Sequence, residues 1–329
     1  MDRSRWDFFA ELADFGPTGK RSQSELTLAQ AEAYCRFVAQ VHYENFQIVS
    51  WFLPRHLRQD FMNIYAYCRW ADDCADEASN TGEATALLAW WRGELSGLFD
   101  GRPPRHPVMR ALKKTVARHH LPQAPFNDLI SAFAQDQVQQ RYDSHDQLLD
   151  YCRRSANPVG RLVLGLGQAA TEAETLRWSD HICTGLQLAN FCQDMARDAR
   201  LGRIYAPREL WREHGVDEAM ILAARPTPQL KAMLKAWVGV ARNELDAGAK
   251  LVERVPRWLA LDVQLFRSGG LAILDQIAGA DYDVWTRRPT VSKLRKLRLL
   301  LSAMMRQAVV RSRGAPARPA GSSSARRHK

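Results

Sequence analysis

Apolar residues recur at intervals of three and four along most of the chain, which is the spacing of one helix face. No convincing run of alternating apolar, β-branched residues indicates a strand. The pattern therefore predicts an all-α protein, with glycine and proline marking the breaks between helices. The predicted helices cover residues 54–79, 84–98, 107–119, 123–142, 144–155, 158–166, 172–199, 227–254 and 258–278, and a further helix begins within residues 24–28.

The helical segments follow one another without an internal repeat and without a linker long enough to separate two domains. We expect a single helical domain over residues 24–305. An extension at residues 1–23 precedes this domain, and a basic, disordered tail at residues 306–329 follows it.

The segment before the tail, residues 291–310, has an apolar helix face with Lys and Arg on the other faces. The apolar face is formed by Leu294, Leu297, Leu301 and Met304. Two interpretations are open, a closing core helix and an amphipathic helix that touches a membrane.

The formal net charge of +10 belongs to this end of the chain. Residues 287–329 contain 13 Lys and Arg and no acid, which leaves 33 basic against 36 acidic residues elsewhere. The body lacks the interleaved basic and aromatic residues of nucleic-acid binding, so no nucleic-acid partner is expected. A basic end suits anionic lipid head groups.

Localisation and redox state follow from two further features. No apolar run reaches the 18 or more residues of a membrane span, and the first residues carry acids where a signal peptide is apolar. We expect a cytoplasmic protein that can lie peripherally on the inner membrane surface. The six cysteines show no C-x-x-C spacing, which predicts reduced thiols rather than a zinc site or disulfides.

The stretch RWADDCADE, residues 69–77, concentrates acids within an apolar helix. Asp72 and Asp76 share a helix face, where like charges cost roughly 0.2 to 0.5 kcal/mol per exposed pair and more when buried. The arrangement recurs in residues 187–198, where Asn190, Asp194 and Asp198 follow one stripe. Two such pairs on facing helices would form a set of oxygen ligands suited to Mg²⁺.

Arginine residues accompany both acidic pairs. Arg69 precedes the first pair, Arg197 lies within the second, and Arg203 follows the second. Guanidinium groups bind phosphate oxygens well. Acids that hold a metal beside arginines that hold an anion indicate a diphosphate bound together with Mg²⁺.

Both motifs resemble the signatures of the squalene and phytoene synthases. The resemblance rests on YAYCRWADDCAD at residues 65–76, QLANFCQDMARD at 187–198 with GRIY at 202–205, and HYENF at 42–46. It extends over about residues 26–278. It implies an all-α isoprenoid synthase fold, a single helical domain around a central cavity between two aspartate-rich helices.

The resemblance also implies roles for individual residues. The metal ligands would be Asp72, Asp76, Asp194, Asp198 and Asn190. The diphosphate would contact His42, Arg69, Asn190 and Tyr205. The reacting pocket would be lined by Tyr65, Phe46 and Gln187.

Within the family, YAYCRWADDCADE, SANPVGRLVL and ALDVQLFRSGGLAIL look closest to the hydroxysqualene synthases of bacterial hopanoid biosynthesis. This likeness implies that presqualene diphosphate ionises, rearranges and captures water to give hydroxysqualene without NADPH. Two departures from typical squalene and phytoene synthases are Gln193, where an Arg is usual, and Asn157-Pro158 in place of a small turn.

Other interpretations stay open. One alternative is condensation of two prenyl diphosphates, such as farnesyl diphosphate, to presqualene diphosphate, squalene, phytoene or dehydrosqualene. Another is an inactive family member that binds lipid or acts in assembly. At the level of residues, His42 can be an ordinary helix histidine, and Arg69 can simply pair with Asp72 or Asp73. Asp73 and Glu77 are expected to be solvated or supporting residues outside the ligand set, and the role of Asp136 is open.

Overall fold

The computed structural model describes residues 6–19, 26–42, 53–169 and 172–290, and these ranges contain helices and no strand. Short 3₁₀ segments lie at Arg55–Leu57 and Ala249–Glu253. The α-helices are Phe8–Phe15 (α1), Leu28–Val41 (α2), Arg58–Asp76 (α3), Thr81–Phe99 (α4), Pro107–His119 (α5), Ala124–Asp136 (α6), His145–Ser155 (α7), Asn157–Leu166 (α8), Ala173–Arg200 (α9), Arg208–Glu213 (α10), Glu218–Leu222 (α11), Pro228–Ala247 (α12) and Arg257–Gly279 (α13).

Local capping chemistry sets where several helices begin. Thr27 and Gln30 form a reciprocal capping box at the start of α2. Ser144 caps α7 by accepting the backbone N–H of Gln147 at 3.2 Å. These side chains satisfy amides that the first turn of a helix leaves without partners.

The helices pack around two large hydrophobic clusters. The N-terminal cluster gathers buried side chains of α1 to α6, with Tyr67 and Trp70 of α3 fully buried in it. The C-terminal cluster gathers side chains of α7 and α9 to α13, with Leu188 and Cys192 of α9 fully buried in it. The two aspartate-rich helices therefore belong to different clusters, and α9 packs mainly against α12, α13 and α8.

Three predicted helices end earlier than the pattern indicates, the one predicted at residues 54–79 by three residues, at Asp76. The helix predicted at residues 123–142 ends at Asp136, because the amides of Gln137 and Val138 bond back over three residues and turn the chain. The helix predicted at residues 227–254 ends at Ala247 and gives way to a 3₁₀ segment after Gly248. A Cβ atom at Gly248 would lie 2.6 Å from the carbonyl oxygen of Trp178.

Several expectations concern residues outside the described ranges. These include Phe46, the helix at 291–310 and the tail at 306–329. Within the described part of the first 23 residues, α1 buries Phe8 and Phe15 in the N-terminal cluster. None of the helices in the described ranges has the length and apolar character that a membrane crossing requires.

Candidate active site

Helix α3 presents its acidic pair on the side away from its anchoring residues. Tyr67, Trp70 and Cys74 are fully buried, whereas Asp76 is exposed and the side chain of Asp72 is 35% exposed. Burial and the neighbouring charge of Asp76 raise the pKa of Asp72 to about 6. A carboxylate with a raised pKa gains from a nearby cation, because the cation stabilises its charged form.

Behind this pair, Asp73 is fully buried and bonded. It accepts hydrogen bonds from the Arg69 guanidinium and from Nε1 of Trp6, the latter at 3.1 Å. Burial raises the pKa of Asp73 to about 6. Asp73 is thus a buried anchor for Arg69 and not a solvated residue, whereas Glu77 is exposed.

Arg69 also pairs with Asp72 at 3.0 Å, so its charge is shared between two carboxylates of its own helix. The ion pairs that helical spacing allows between Arg69 and Asp72 or Asp73 are therefore both present. Contact between Arg69 and a diphosphate stays a prediction.

Helix α9 carries the second stripe of oxygen ligands. Leu188, Ala189 and Cys192 anchor the helix in the C-terminal cluster, while Asn190 is exposed and Asp194 and Asp198 are half-buried. Burial and the charge of Asp194 raise the pKa of Asp198 to about 6. Asp194 is held by an ion pair with Arg288.

Arg203 lies close enough to both acidic pairs for its charge to act on Asp72 and Asp76 of α3 and on Asp198 of α9. Gly202, at φ 75°, turns the chain after α9, and the amide of Arg203 donates to the carbonyl of Asp198 at 2.8 Å. The charge of Arg203 lowers the pKa of both Asp72 and Asp198 against the raising effect of burial. Within the described residues, its guanidinium makes no hydrogen bond or ion pair. Its charge therefore acts on both stripes, and among the described residues it has no committed partner.

A further carboxylate joins the site from the end of α6. Asp136 accepts a hydrogen bond from the Tyr151 hydroxyl at 2.8 Å, and burial raises its pKa to about 6. The charges of Arg203, Asp76 and Asp72 all act on Asp136. The sequence alone leaves the role of Asp136 open, because this residue has no acidic neighbour at helical spacing.

Tyr205 lies beside Asp136, Arg203 and Asp198. Its ring stacks on Phe191 with centroids 3.9 Å apart and planes at 10°. Burial and the neighbouring charge of Asp136 raise the pKa of the Tyr205 hydroxyl. The aromatic stack places an electron-rich face and a neutral hydroxyl beside Arg203 and Asp198.

Three further predicted site residues within the described ranges, His42, Tyr65 and Gln187, lie on or near α3 and α9. Nδ1 of His42 lies 2.9 Å from the carbonyl of Val38, and burial lowers the pKa of the imidazole, with the charge of Arg69 acting in the same direction. Tyr65 is half-buried beside Arg69 and Asp72, and burial raises the pKa of its hydroxyl. Gln187 is half-buried on α9, three positions before Asn190.

The donor chemistry of the site fits a hard divalent cation. Its candidate ligands are all oxygen atoms, and a bound cation would offset the burial and the neighbouring carboxylate that raise the pKa of Asp72 and of Asp198. In the ranges described, no three His, Cys, Asp or Glu side chains are gathered closely enough to hold a metal by themselves. The arrangement matches a cation that keeps waters and is completed by a substrate phosphate.

The known proteins that this chain resembles in sequence point to one family. Residues 39–295 match the squalene/phytoene synthase family. The chain is 31% identical over 287 residues to phytoene synthase 3 of Zea mays, covering 84% of this chain and 66% of that one, slightly under two thirds of the relative's length. It is 35% identical over 216 residues to a hydroxysqualene synthase of Sinorhizobium fredii, covering 64% of this chain and 71% of that one.

Solved structures share the architecture. The crystal structure of squalene synthase HpnC from Alicyclobacillus acidocaldarius is 40% identical, with a TM-score of 0.75 over 80% of this chain and 99% of that one. A dehydrosqualene synthase, 23% identical with a TM-score of 0.77 over 86% of this chain and 98% of that one, shows the same fold. The chain has the all-α isoprenoid synthase fold and belongs to the squalene/phytoene synthase family, whose enzymes act on prenyl diphosphates.

Proposed function

We propose that this protein converts presqualene diphosphate to hydroxysqualene, in a Mg²⁺-dependent reaction of squalene and hopanoid biosynthesis. The substrate loses diphosphate, the resulting cation rearranges, and water captures it. The observation that carries the diphosphate part of the proposal is Arg203, whose guanidinium pairs with no described residue and whose charge acts on both carboxylate pairs. A diphosphate bound with cations satisfies all of these charges at once.

Different residues contribute to the ionisation of the substrate in different ways. The residues that would hold Mg²⁺ are Asp72, Asp76, Asp194, Asp198 and Asn190, and the ion would supply positive charge to the leaving diphosphate. Arg203 contacts the diphosphate oxygens and stabilises the charge that develops as the C–O bond breaks. His42, Arg69 and Tyr205 complete the diphosphate contacts in this proposal.

The carbocation requires a different environment from the diphosphate. The rings of Tyr65 and Phe46, and the half-buried ring of Tyr205, stabilise positive charge through their π electrons. Gln187 lies on the stripe of α9 beside the ligands and contacts the substrate near them. Apolar surroundings limit the entry of water, so that capture by one water follows rearrangement.

The choice of presqualene diphosphate rests on the relatives. Identity is 35% to the hydroxysqualene synthase of Sinorhizobium fredii and 31% to phytoene synthase 3 of Zea mays. The 40% identical relative of known structure is described as a squalene synthase. Capture by water and capture by hydride are therefore the outcomes that an experiment has to separate.

The direct test is to incubate the purified protein with Mg²⁺ and presqualene diphosphate, without NADPH, and to identify the product by mass spectrometry. We expect hydroxysqualene, with one oxygen atom from the solvent when the reaction is run in ¹⁸O-labelled water. Asp72→Asn and Asp198→Asn are expected to lower turnover at least 100-fold, because each weakens metal binding. Glu77→Gln, an exposed acid on the same stretch, is the matched control and should retain activity.

A second candidate function is condensation of two prenyl diphosphates. The alignment with the Zea mays phytoene synthase favours it, since that match covers 84% of this chain. Turnover of farnesyl or geranylgeranyl diphosphate, with none of presqualene diphosphate, would establish this candidate and overturn the first. An inactive lipid-binding or assembly protein would turn over none of the three substrates.

A further inference from the structure

The last described segment, residues 283–290, lies against α9, and we term it the C-terminal strap. Its first turn is closed by Asp283, whose carboxylate accepts from the amides of Trp285 and Thr286 and from the Thr286 hydroxyl. Val284 and Trp285 are buried in the C-terminal cluster. The strap is thus fixed at its beginning by packing.

Gln193 fixes the strap at its other end. The side chain of Gln193 lies on α9 next to Asp194, and the residue is only 7% exposed. Its Nε2 donates to the carbonyl of Pro289 at 2.6 Å, and its Oε1 accepts from Arg288 at 3.3 Å. Both ends of this neutral amide are therefore used to hold the strap.

The strap brings the Arg288 guanidinium onto Asp194. Two N–H groups of Arg288 donate to the two carboxylate oxygens, one of them at 3.0 Å. Such a bidentate pair occupies the oxygen atoms through which Asp194 would bind a metal. The Arg288 side chain is 49% exposed, so it can change partners without disturbing the core.

We propose that Gln193 is a positioning residue that keeps Arg288 on Asp194 before substrate binds, and that Arg288 exchanges Asp194 for diphosphate when the metal-bound substrate enters. The inference rests on the proposed function only in its general form, a site for a metal-bound diphosphate. It follows that Arg288 opposes metal binding in the absence of diphosphate and supports binding in its presence. Metal and diphosphate then bind cooperatively.

Calorimetry with the full-length protein tests this exchange. Mg²⁺ is titrated alone, and inorganic pyrophosphate is then titrated at saturating Mg²⁺. For Arg288→Gln we expect at least fivefold tighter binding of Mg²⁺ alone, and at least fivefold weaker binding of the magnesium–pyrophosphate complex. Arg287→Gln, the same charge change at an exposed neighbour, should behave as the wild type in both titrations.

The affinity for Mg²⁺ alone is expected to rise and the affinity for the magnesium–pyrophosphate complex to fall. A general loss of structure would not change the two affinities in opposite directions. Weaker or unchanged binding of Mg²⁺ alone by Arg288→Gln would overturn the exchange. Gln193→Leu should shift both affinities in the same directions and speed hydrogen exchange in residues 284–288. Wild-type exchange and affinities in Gln193→Leu would overturn the positioning role. These titrations do not measure which product is formed from prenyl diphosphates. A negative result for the exchange therefore leaves the proposed reaction untouched, and a negative result for the reaction leaves the exchange untouched.

Discussion

Asp136 is a single carboxylate outside both acidic motifs, yet it shares their electrostatic environment. Its hydrogen bond from Tyr151 and the charge of Arg203 hold it beside the pairs. We predict that Asp136→Asn lowers kcat at least 100-fold, because the site loses a negative charge that orients Arg203. The melting temperature should stay within a few degrees, since the variant buries an amide of the same shape. Asp128→Asn on the same helix is the control, and an Asp136→Asn enzyme with more than a third of wild-type kcat would contradict the prediction.

Asp262 of α13 is a buried carboxyl group of a different kind. Neither of its oxygens has a hydrogen-bond partner among the described residues, and burial raises its pKa to about 7 from an ordinary value of 3.8. Between these two values the folded protein holds a proton that the unfolded chain has released, so stability falls as pH rises through this window. The full effect is up to about 4 kcal/mol.

We therefore predict that Asp262→Asn becomes more stable relative to wild type as the pH is raised from 4 to 8. Urea unfolding at several pH values measures this difference. The same substitution at Asp275, on the surface of the same helix, is the comparison. A difference in unfolding free energy that stays constant across the range would show that Asp262 keeps an ordinary pKa.

The chemistry of individual residues was predictable where their partners are close in sequence. Asp72 with Asp76, and Asp194 with Asp198, stand out because each pair recurs at helical spacing on an apolar helix. Arg288 was not predictable as a site residue, because its partner lies 94 positions away and the sequence shows only one more basic residue. The roles of the predicted ligands themselves stay predictions until the variants are measured.

At the scale of elements, the contact between α9 and α12 depends on a glycine. A Cβ atom at Gly185 would lie 2.7 Å from the Leu245 side chain and 2.9 Å from its backbone nitrogen. We predict that Gly185→Ala lowers the free energy of unfolding by roughly 1–3 kcal/mol, because the helices must separate or Leu245 must move. Thermal unfolding with calorimetric detection measures the loss.

The control for this prediction is Gly239→Ala on α12. No atom lies within 4 Å of a Cβ atom built at that position, so only helix propensity changes. A gain of about 0.5–1 kcal/mol is expected there. If both substitutions changed the free energy of unfolding equally, close packing against Leu245 would not be the reason that position 185 requires glycine.

Helix positions were largely predictable from the chain, and the exceptions have tertiary causes. Residues 137–142 contain good helix formers, which is why the pattern extends the helix to Tyr142. In the fold, the carbonyl groups of Gln140 and Tyr142 instead accept amides of Ile204 and Arg208 from the loop after α9. This pairing places Tyr142 beside Tyr205, and a local pattern contains no information about it.

For the whole molecule, charge is divided between an almost neutral body and a basic C-terminal end. We predict that the full-length chain binds vesicles containing anionic lipid and that replacing Lys293, Arg295, Lys296 and Arg298 by Gln weakens binding at least tenfold. Each basic residue near such a surface contributes about 1 kcal/mol. Co-sedimentation measures the binding, and vesicles of neutral phosphatidylcholine are the control. Equal binding to both kinds of vesicle would exclude an electrostatic contact.

The two acidic helices are anchored in separate hydrophobic clusters. This separation affects how proteins of this architecture can diverge in sequence. Trp70 and Cys74 fix the first acidic stripe, and Leu188 and Cys192 fix the second, so neither stripe depends on the side chains that lie between them. We therefore expect substitutions between the clusters to alter which hydrocarbon is accepted and to leave the proposed diphosphate site unchanged. New product ranges, natural or engineered, should therefore arise from the intervening surface at little cost in fold stability.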